Sequence, residues 1–211
     1  MVDHAPPARG RHAPPPEVRL PRQRQRLLRA AALEFAEHGY AGASSESISR
    51  RAGMSKATFY EHFSNKQECI IALFDRASEV VAGGIADAAR GAGRADAAAR
   101  MHAATRAYLS TVAEHPEFAQ TLLVEIIGAG PEVAARRDEM LRVFAELFDA
   151  DNAAAASRGL IPRFASPHDA YAIVGAVFEL VSRHVRLGIP PDVMELAPVI
   201  DRLIDGLLAQ S

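Results

Sequence analysis

Between Ser44 and Phe63 the chain sets two helix-length segments on either side of a single glycine, and few architectures accept that pattern. Ser44 can cap a short helix running to Ala52, Gly53-Met54 make a turn, and Ser55 caps a second short helix ending near His62–Phe63. Ile48 and Ala52 fall on the inward side of the first helix, and Arg50 and Arg51 face out. Phe59 and Phe63, four apart, anchor one side of the second, which leaves Lys56, Ala57, Thr58, Tyr60 and Glu61 toward the exposed side. A helix-turn-helix has this form, and so does an ordinary helical hairpin; the hydrophobic pattern alone leaves both open.

The flanks are helical as well. Pro21 suits a first helical turn, and Leu27, Leu28, Ala31, Ala32, Phe35 and Ala36 recur on one face, with Arg22, Arg26, Arg29 and Glu34 off it. Gly39 is placed as a left-handed cap, so this helix covers about 22–38. Ser64 and Gln67 read as a capping box for a long fourth helix, interrupted at Gly83-Gly84 and at Gly91-Ala92-Gly93. A helix over about 96–114 stops at His115-Pro116, and the very apolar run 117–127 follows. A long helix over 131–158 closes on Gly159. Another starts at Ser166 or Asp169 and ends at Gly188, and a last one fills about 192–209. No stretch alternates with period two for long enough to make a strand. The expectation is all-α: a three-helix domain over 21–66 and a larger helical domain over 67–211. Residues 1–20, with prolines at 6, 7, 14, 15 and 16, read as a disordered arm, either a plain tail or a basic arm of the kind that lies in a minor groove.

Charge separates the same two regions. Residues 18–66 hold nine Arg or Lys against four Glu, a net of +5, whereas 67–211 hold thirteen Arg against twenty acids, a net of −7. A basic module on an acidic body fits a chain of which one part meets a polyanion, although chance clustering on a solvated helix gives the same count. The single cysteine, Cys69, excludes an intramolecular disulfide and any cysteine-based zinc site and suits a reducing compartment. With no run of roughly 18 apolar residues and no signal-peptide pattern, a cytoplasmic chain with no membrane partner is expected. The eight His show no paired spacing joined to a carboxylate, so no metal site is expected, nor any cofactor. There is no grouping of nucleophile, base and orienter and no phosphate loop, so an enzyme is not expected.

One run of residues goes beyond pattern. Leu27-Leu28, Phe35, Gly39-Tyr40, Ser44, Ile48, then Ala52-Gly53-Met54-Ser55-Lys56-Ala57-Thr58-Phe59-Tyr60-Glu61-His62-Phe63 and Lys66 closely resemble the DNA-binding domain of the TetR family of repressors, over about 45 residues. The resemblance implies that Tyr60, Lys66 and Ser44 contact phosphates, Ser44 at a helix N-terminus where free N–H groups favour an anion. It also implies that Ser55, Lys56, Ala57 and Thr58 lie at the DNA, the last three against base edges, with His62 either touching a phosphate or packing the domain. Four positions depart from the family: Ser45 for an aliphatic residue, Ser49 for Ala, Met54 for Val and Ala57 for Gly or Pro. A helical Ser can bond the backbone one turn back, so little stability should be lost.

For the C-terminal body the resemblance implies a domain that dimerises and encloses a pocket, making the chain a repressor that binds double-stranded operator DNA as a homodimer and is released by a small apolar or amphipathic effector. The last two helices carry Ile173, Val174, Val177, Phe178 and Val181, then Ile200, Leu203, Ile204, Leu207 and Leu208. From these, Ile173, Val177, Val181, Ile200, Ile204 and Leu207 are expected at a dimer interface, although the stripes alone fit packing within one chain equally well. Met101, Tyr108, Phe118, Leu122, Phe144, Phe148, Tyr171 and Phe178 are expected around the pocket, or else as plain core. Two other readings are an all-helical enzyme or carrier and an architectural DNA-binding protein without a ligand.

Overall fold

The structure is a computed structural model that describes residues 15–91 and 97–209; the described residues form helices and no strand. The first helix, α1 (Pro16–Gly42), is broken at Gly39, whose φ of 70° lies in the left-handed region. That break is where the sequence places its cap. The N-terminal end differs: α1 starts more than a turn before Pro21, with Arg19 N–H donating to Pro15 O, so residues 16–20 are helix rather than arm. Pro21 therefore lies inside the helix, where it has no N–H to give the carbonyl of Glu17. The rest of the expected arm, residues 1–14, lies outside the described residues.

Two short helices follow, α2 (Ser45–Arg51) and α3 (Lys56–His62). Ser44 Oγ accepts from Ser47 N–H while Ser47 Oγ accepts from Ser44 N–H, each at 3.0 Å, and Ser55 Oγ accepts from Thr58 N–H at 3.1 Å. Leu27, Phe35, Ile48, Phe59 and Phe63 meet in a core from which solvent is excluded. Ser49 is buried with its hydroxyl donating to Ser45 O one turn back at 2.6 Å, so the departure from Ala leaves no orphaned group.

The fourth helix, α4 (Lys66–Gly91), starts on a different cap from the one expected: Asn65 Oδ1 accepts from Glu68 N–H and Glu68 Oε2 accepts from Ser64 N–H. It also runs through Gly83-Gly84 without a break. A side chain at Gly84 would come within 3.4 Å of Thr111 Oγ1 on α5, an ordinary contact, and one at Gly83 would meet nothing. Cys69, Ile70, Leu73 and Phe74 on its first turns join the core around α1 to that of the body, which makes the expected boundary at 66/67 the start of a shared helix.

The body continues with α5 (Ala97–Glu114), α6 (Pro116–Leu123), a 3-10 turn over Glu125–Gly128, α7 (Pro131–Ala156), α8 (Pro167–Leu187), a second 3-10 turn over Val193–Leu196 and α9 (Ala197–Ala209). Sequence punctuation holds at the ends: Pro116 opens α6, the Ser166–Asp169 capping box opens α8, and left-handed Gly188 closes it. No helix among the described residues is long and apolar enough to cross a membrane.

Candidate DNA-binding surface and effector cavity

α3 is held by its apolar side and presents the other. Phe59 and Phe63 are buried, 5.4 Å apart between ring centres, and Phe59 meets Tyr60 edge-on. Lys56 and Ala57 are exposed, Tyr60 is half exposed, and Thr58 is half-buried with its hydroxyl 3.0 Å from Ser55 Oγ. Ser44 and Ser55 are exposed, but each hydroxyl already accepts a backbone N–H of its own helix. Exposed Arg50 joins Lys56 on the rim of one shallow depression that also takes in Gly53 and Met54.

Other basic residues are tied to acceptors within the chain, Arg26 and Arg51 while remaining exposed. Arg26 donates to Ala52 O at 2.7 Å, beside the α2–α3 turn. Arg51, expected to face out, donates through Nε to Glu34 at 2.5 Å and through Nη1 and Nη2 to Glu37. Glu34, expected off the apolar face, is buried; burial raises its pKa, but hydrogen bonds from Arg51 and Ser47 and the Arg51 charge outweigh this and hold it below the ordinary value. Lys66 departs most from its expected phosphate contact. Its Nζ donates to Tyr40 O at 2.5 Å and to Ala43 O at 2.9 Å, and lies 4.2 Å from the Tyr40 ring centre. The break at Gly39 leaves carbonyls that the helix itself does not satisfy, and a long cation from α4 reaches them. His62 is half-buried with Nε2 unpartnered, and burial lowers its pKa, which favours packing over a phosphate contact.

Two cavities lie in the body. The inner one, about 290 Å³, is bounded by α4, α5, α7 and α8 and lined by Met101, Tyr108, Phe144, Phe148 and Phe178 among others. The outer one, about 610 Å³, is lined by Phe118 and Leu122 of α6, by Pro21, Arg24, Leu28 and Arg29 of α1, and by Arg76 of α4. Tyr108 and Val81 line both. The Tyr108 ring stacks on Phe178 at 5.9 Å, its hydroxyl is buried without a partner, and burial raises its pKa. Tyr171 lines neither cavity; it is exposed on α8 and leaves the pocket set.

The dimer set needs the larger correction. Ile173, Val177, Val181, Ile200 and Ile204 are buried within one chain, Ile173 and Val177 also lining the inner cavity, and Leu207 is half-buried. Helical spacing identifies an apolar face without saying what covers it, and here the body's own helices do. Cys69 is fully buried, and burial, partly offset by Arg24, pushes its thiol up to about 12.

Three further side chains have surroundings that no motif in the sequence specifies. Glu125, just after α6, accepts Tyr40 N–H at 2.6 Å and Gln120 Nε2–H at 3.1 Å, so the body grips α1 at its break. His102 Nε2 lies 3.0 Å from Asp205 Oδ1, tying α5 to α9. Arg100, one of many arginines in the sequence, is buried at the inner cavity. No local signal marks these partners, which lie far apart in the chain. Among the described residues no group of three His, Cys, Asp or Glu is arranged to hold a metal ion.

Residues 27–73 match the family described as bacterial regulatory proteins, tetR family. The chain is 36% identical over 121 residues to the HTH-type transcriptional activator FasR of Mycolicibacterium smegmatis, covering 56% of this chain and 54% of that protein. It is 39% identical over 67 residues to the HTH-type transcriptional repressor AcnR of Corynebacterium diphtheriae, covering 30% of this chain and 35% of that protein. The chain thus spans about half or less of the length of these relatives. The fold is shared with FadR of Bacillus subtilis, solved in complex with stearoyl-CoA, at a TM-score of 0.74 and 22% identity over 86% of this chain and 98% of that one.

Proposed function

This chain carries at residues 27–73 the DNA-binding domain of the tetR family of bacterial regulatory proteins, and from that premise we propose that it is a transcription regulator whose operator affinity is set by a small amphipathic effector. The observation that carries the proposal is α3, a short helix anchored by Phe59 and Phe63 with Lys56, Ala57 and Tyr60 outward. A helix so held can enter a major groove with its N-terminal residues against base edges. Lys56 is a donor suited to guanine, and Ala57 or the Thr58 methyl suits a thymine methyl. Tyr60 and Arg50 take phosphates, in place of the inward-turned Lys66.

The regulator acts as a homodimer with half-sites about 34–36 Å apart. Because the apolar stripes of α8 and α9 are covered within the chain, the contact with a second copy uses their opposite faces: Ala172, Glu179 and Arg183 on α8, Val199, Arg202 and Gly206 on α9. The inner cavity takes the apolar part of the effector, a reading supported by the FadR structure holding stearoyl-CoA. The outer cavity has walls from both α1 and α6, so a molecule reaching it touches both domains. The Glu125–Tyr40 contact gives a second route between them. An effector that prefers the arrangement with misaligned α3 helices weakens operator binding, typically by 1–3 kcal/mol of coupling.

Repression by operator occlusion is the sign we propose. The longer curated match is to a protein named as an activator, which favours the opposite sign and makes transcription from bound promoters the deciding measurement. The function itself is tested by recovering sheared genomic DNA on the purified chain at near-physiological salt. Enrichment of a few fragments sharing an inverted repeat is expected. Even enrichment across the genome, or no retained DNA with or without effector, would overturn the proposal.

A further inference from the structure

The two cavities of the body are strung along one pair of helices. On α4, Ala77 and Val80 line the outer cavity, and Ile85 and Ala86, farther along, line the inner one. On α5 the order is reversed: Met101 and Thr105 line the inner cavity, Val112 and His115 the outer. These α5 residues, with Tyr108 between them, recur three or four apart and so share one face of the helix. α4 and α5 therefore run past both cavities in opposite directions. Only the other walls change, from α7 and α8 around the inner cavity to α1 and α6 around the outer.

Among the described residues two line both cavities, Val81 and Tyr108, and they stand where the walls change. They form the partition, and Tyr108 is by far the wider of the pair. Its ring lies at 17° to that of Phe178, an inner-cavity residue, with centres 5.9 Å apart. Its hydroxyl has no partner among the described residues, so packing rather than a hydrogen bond holds the ring in place. At the other end of the inner cavity, Leu147 is exposed and Asp151 half-exposed, which marks an opening to solvent. Asp151 is bonded there to Arg100, two turns along α5 from Tyr108.

Resting on the reading of the inner cavity as the effector site, we propose that Tyr108 ends that site and so selects the effector by chain length. An unbranched apolar chain entering beside Asp151 runs along α5 until it meets the Tyr108 ring. Methylenes up to the ring are taken out of water; those of a longer chain stay in water at the opening. The ring also keeps the chain out of the outer cavity, and hence away from α1.

The test is calorimetric titration of the full chain with n-alkanoates from hexanoate to hexadecanoate, each below its micelle concentration. In the wild type, affinity is expected to rise about fourfold per added methylene and then to level off. Tyr108→Ala should carry the rise on to longer chains. Tyr108→Phe keeps the ring and should keep the break in the series. Phe144→Ala opens a void in the α7 wall of the same cavity and should also leave the break in place, which separates a partition from any other wall residue. A hexadecanoate with a terminal diazirine should label α1 or α6 in Tyr108→Ala only. The proposal is overturned by a wild-type series without a break, by a break that Tyr108→Ala does not move, or by one that Phe144→Ala moves as far. Labelling of α1 and α6 as strong in the wild type as in Tyr108→Ala overturns it too. Should Tyr108→Ala lose its cooperative melt, Tyr108→Leu decides by the same criteria. If no alkanoate binds, the inner cavity falls as an effector site and the partition with it, whereas binding with an unmoved break overturns the partition alone. Enrichment of operator fragments would leave the regulator reading standing in either case.

Discussion

The DNA-binding domain and the body use the same residue type for opposite ends. Around α1–α3, Arg26, Arg51 and Lys66 are spent on the fold: each finds carbonyl or carboxylate acceptors, and together they tie α1 to the α2–α3 turn, to α2 and to α4. Around the inner cavity, Arg100 and Tyr108 each keep a buried donor without an acceptor among the described residues. A satisfied donor helps specify one arrangement of the chain, whereas a buried orphaned one lowers stability. Gln23 Oε1 and His62 Nε2 are the exceptions in the first region, both buried without a partner among the described residues. The comparison teaches that a count of basic residues does not measure a DNA-binding surface; what matters is how many remain outward without an acceptor in the chain, and Arg50 and Lys56 are exposed beside α3.

The comparison can be broken most visibly at Phe59. Phe59→Ala, in a fully packed core, should cost about 3–5 kcal/mol in denaturant unfolding and abolish DNA binding. A loss below about 1 kcal/mol would mean that the DNA-binding domain is packed no better than the cavity walls. Arg51→Ala should cost about 1–3 kcal/mol by leaving the buried Glu34 carboxylate without its partner, toward the lower end because Arg51 is itself partly solvated. Since the folded pKa of Glu34 is lowered, its stabilisation is present above the ordinary carboxylate value and lost as pH falls through the folded one. Acid unfolding should therefore set in at higher pH in Arg51→Ala.

Removing an orphaned group should do the reverse. Tyr108→Phe keeps the stack on Phe178 and should raise stability by about 1 kcal/mol, read from the thermal midpoint. A loss of similar size would place an undetected partner on that hydroxyl and weaken the contrast between regions. His62 supplies a pH test. Its folded pKa is lowered by burial, so protonation favours the unfolded chain, and stability present above about 6.5 is lost as pH falls from there through the folded value. Against His62→Gln, the wild-type melting temperature should fall more steeply below pH 6.5.

The smallest effect on stability is expected at Arg50. Arg50→Ala should leave the melting temperature unchanged and reduce the salt dependence of DNA binding by about one contact's worth, while Lys66→Ala should lower the melting temperature and leave the salt slope alone. Identical behaviour of the two variants would erase the distinction between inward and outward cations.

Much of this molecule is local, and its local parts were legible. Ser44, Ser55 and Ser166 as caps, Gly39 and Gly188 in left-handed conformations, and Pro116 at a helix start follow from chemistry within a few residues of each position. Gly83-Gly84 read as a break because isolated propensity disfavours glycine in a helix, yet α4 runs through both. Pocket residues on α5, α6 and α7 were legible as apolar positions, but Tyr171 was placed among them by residue type alone and faces solvent.

By itself the sequence determined the succession of helices, the core face of each, and the short capped pair ending in Phe59 and Phe63, because periodicity and capping act over one or two turns. Only the tertiary structure decided what each face meets. The stripes of α8 and α9 close on their own chain, Lys66 turns inward, Arg51 pairs with Glu34 and Glu37, Glu125 grips the break in α1, and Arg100 lies beside a cavity. Those outcomes depend on partners far along the chain, 85 residues for Tyr40 and Glu125 and 103 for His102 and Asp205, and no local pattern encodes which distant partner a side chain will find.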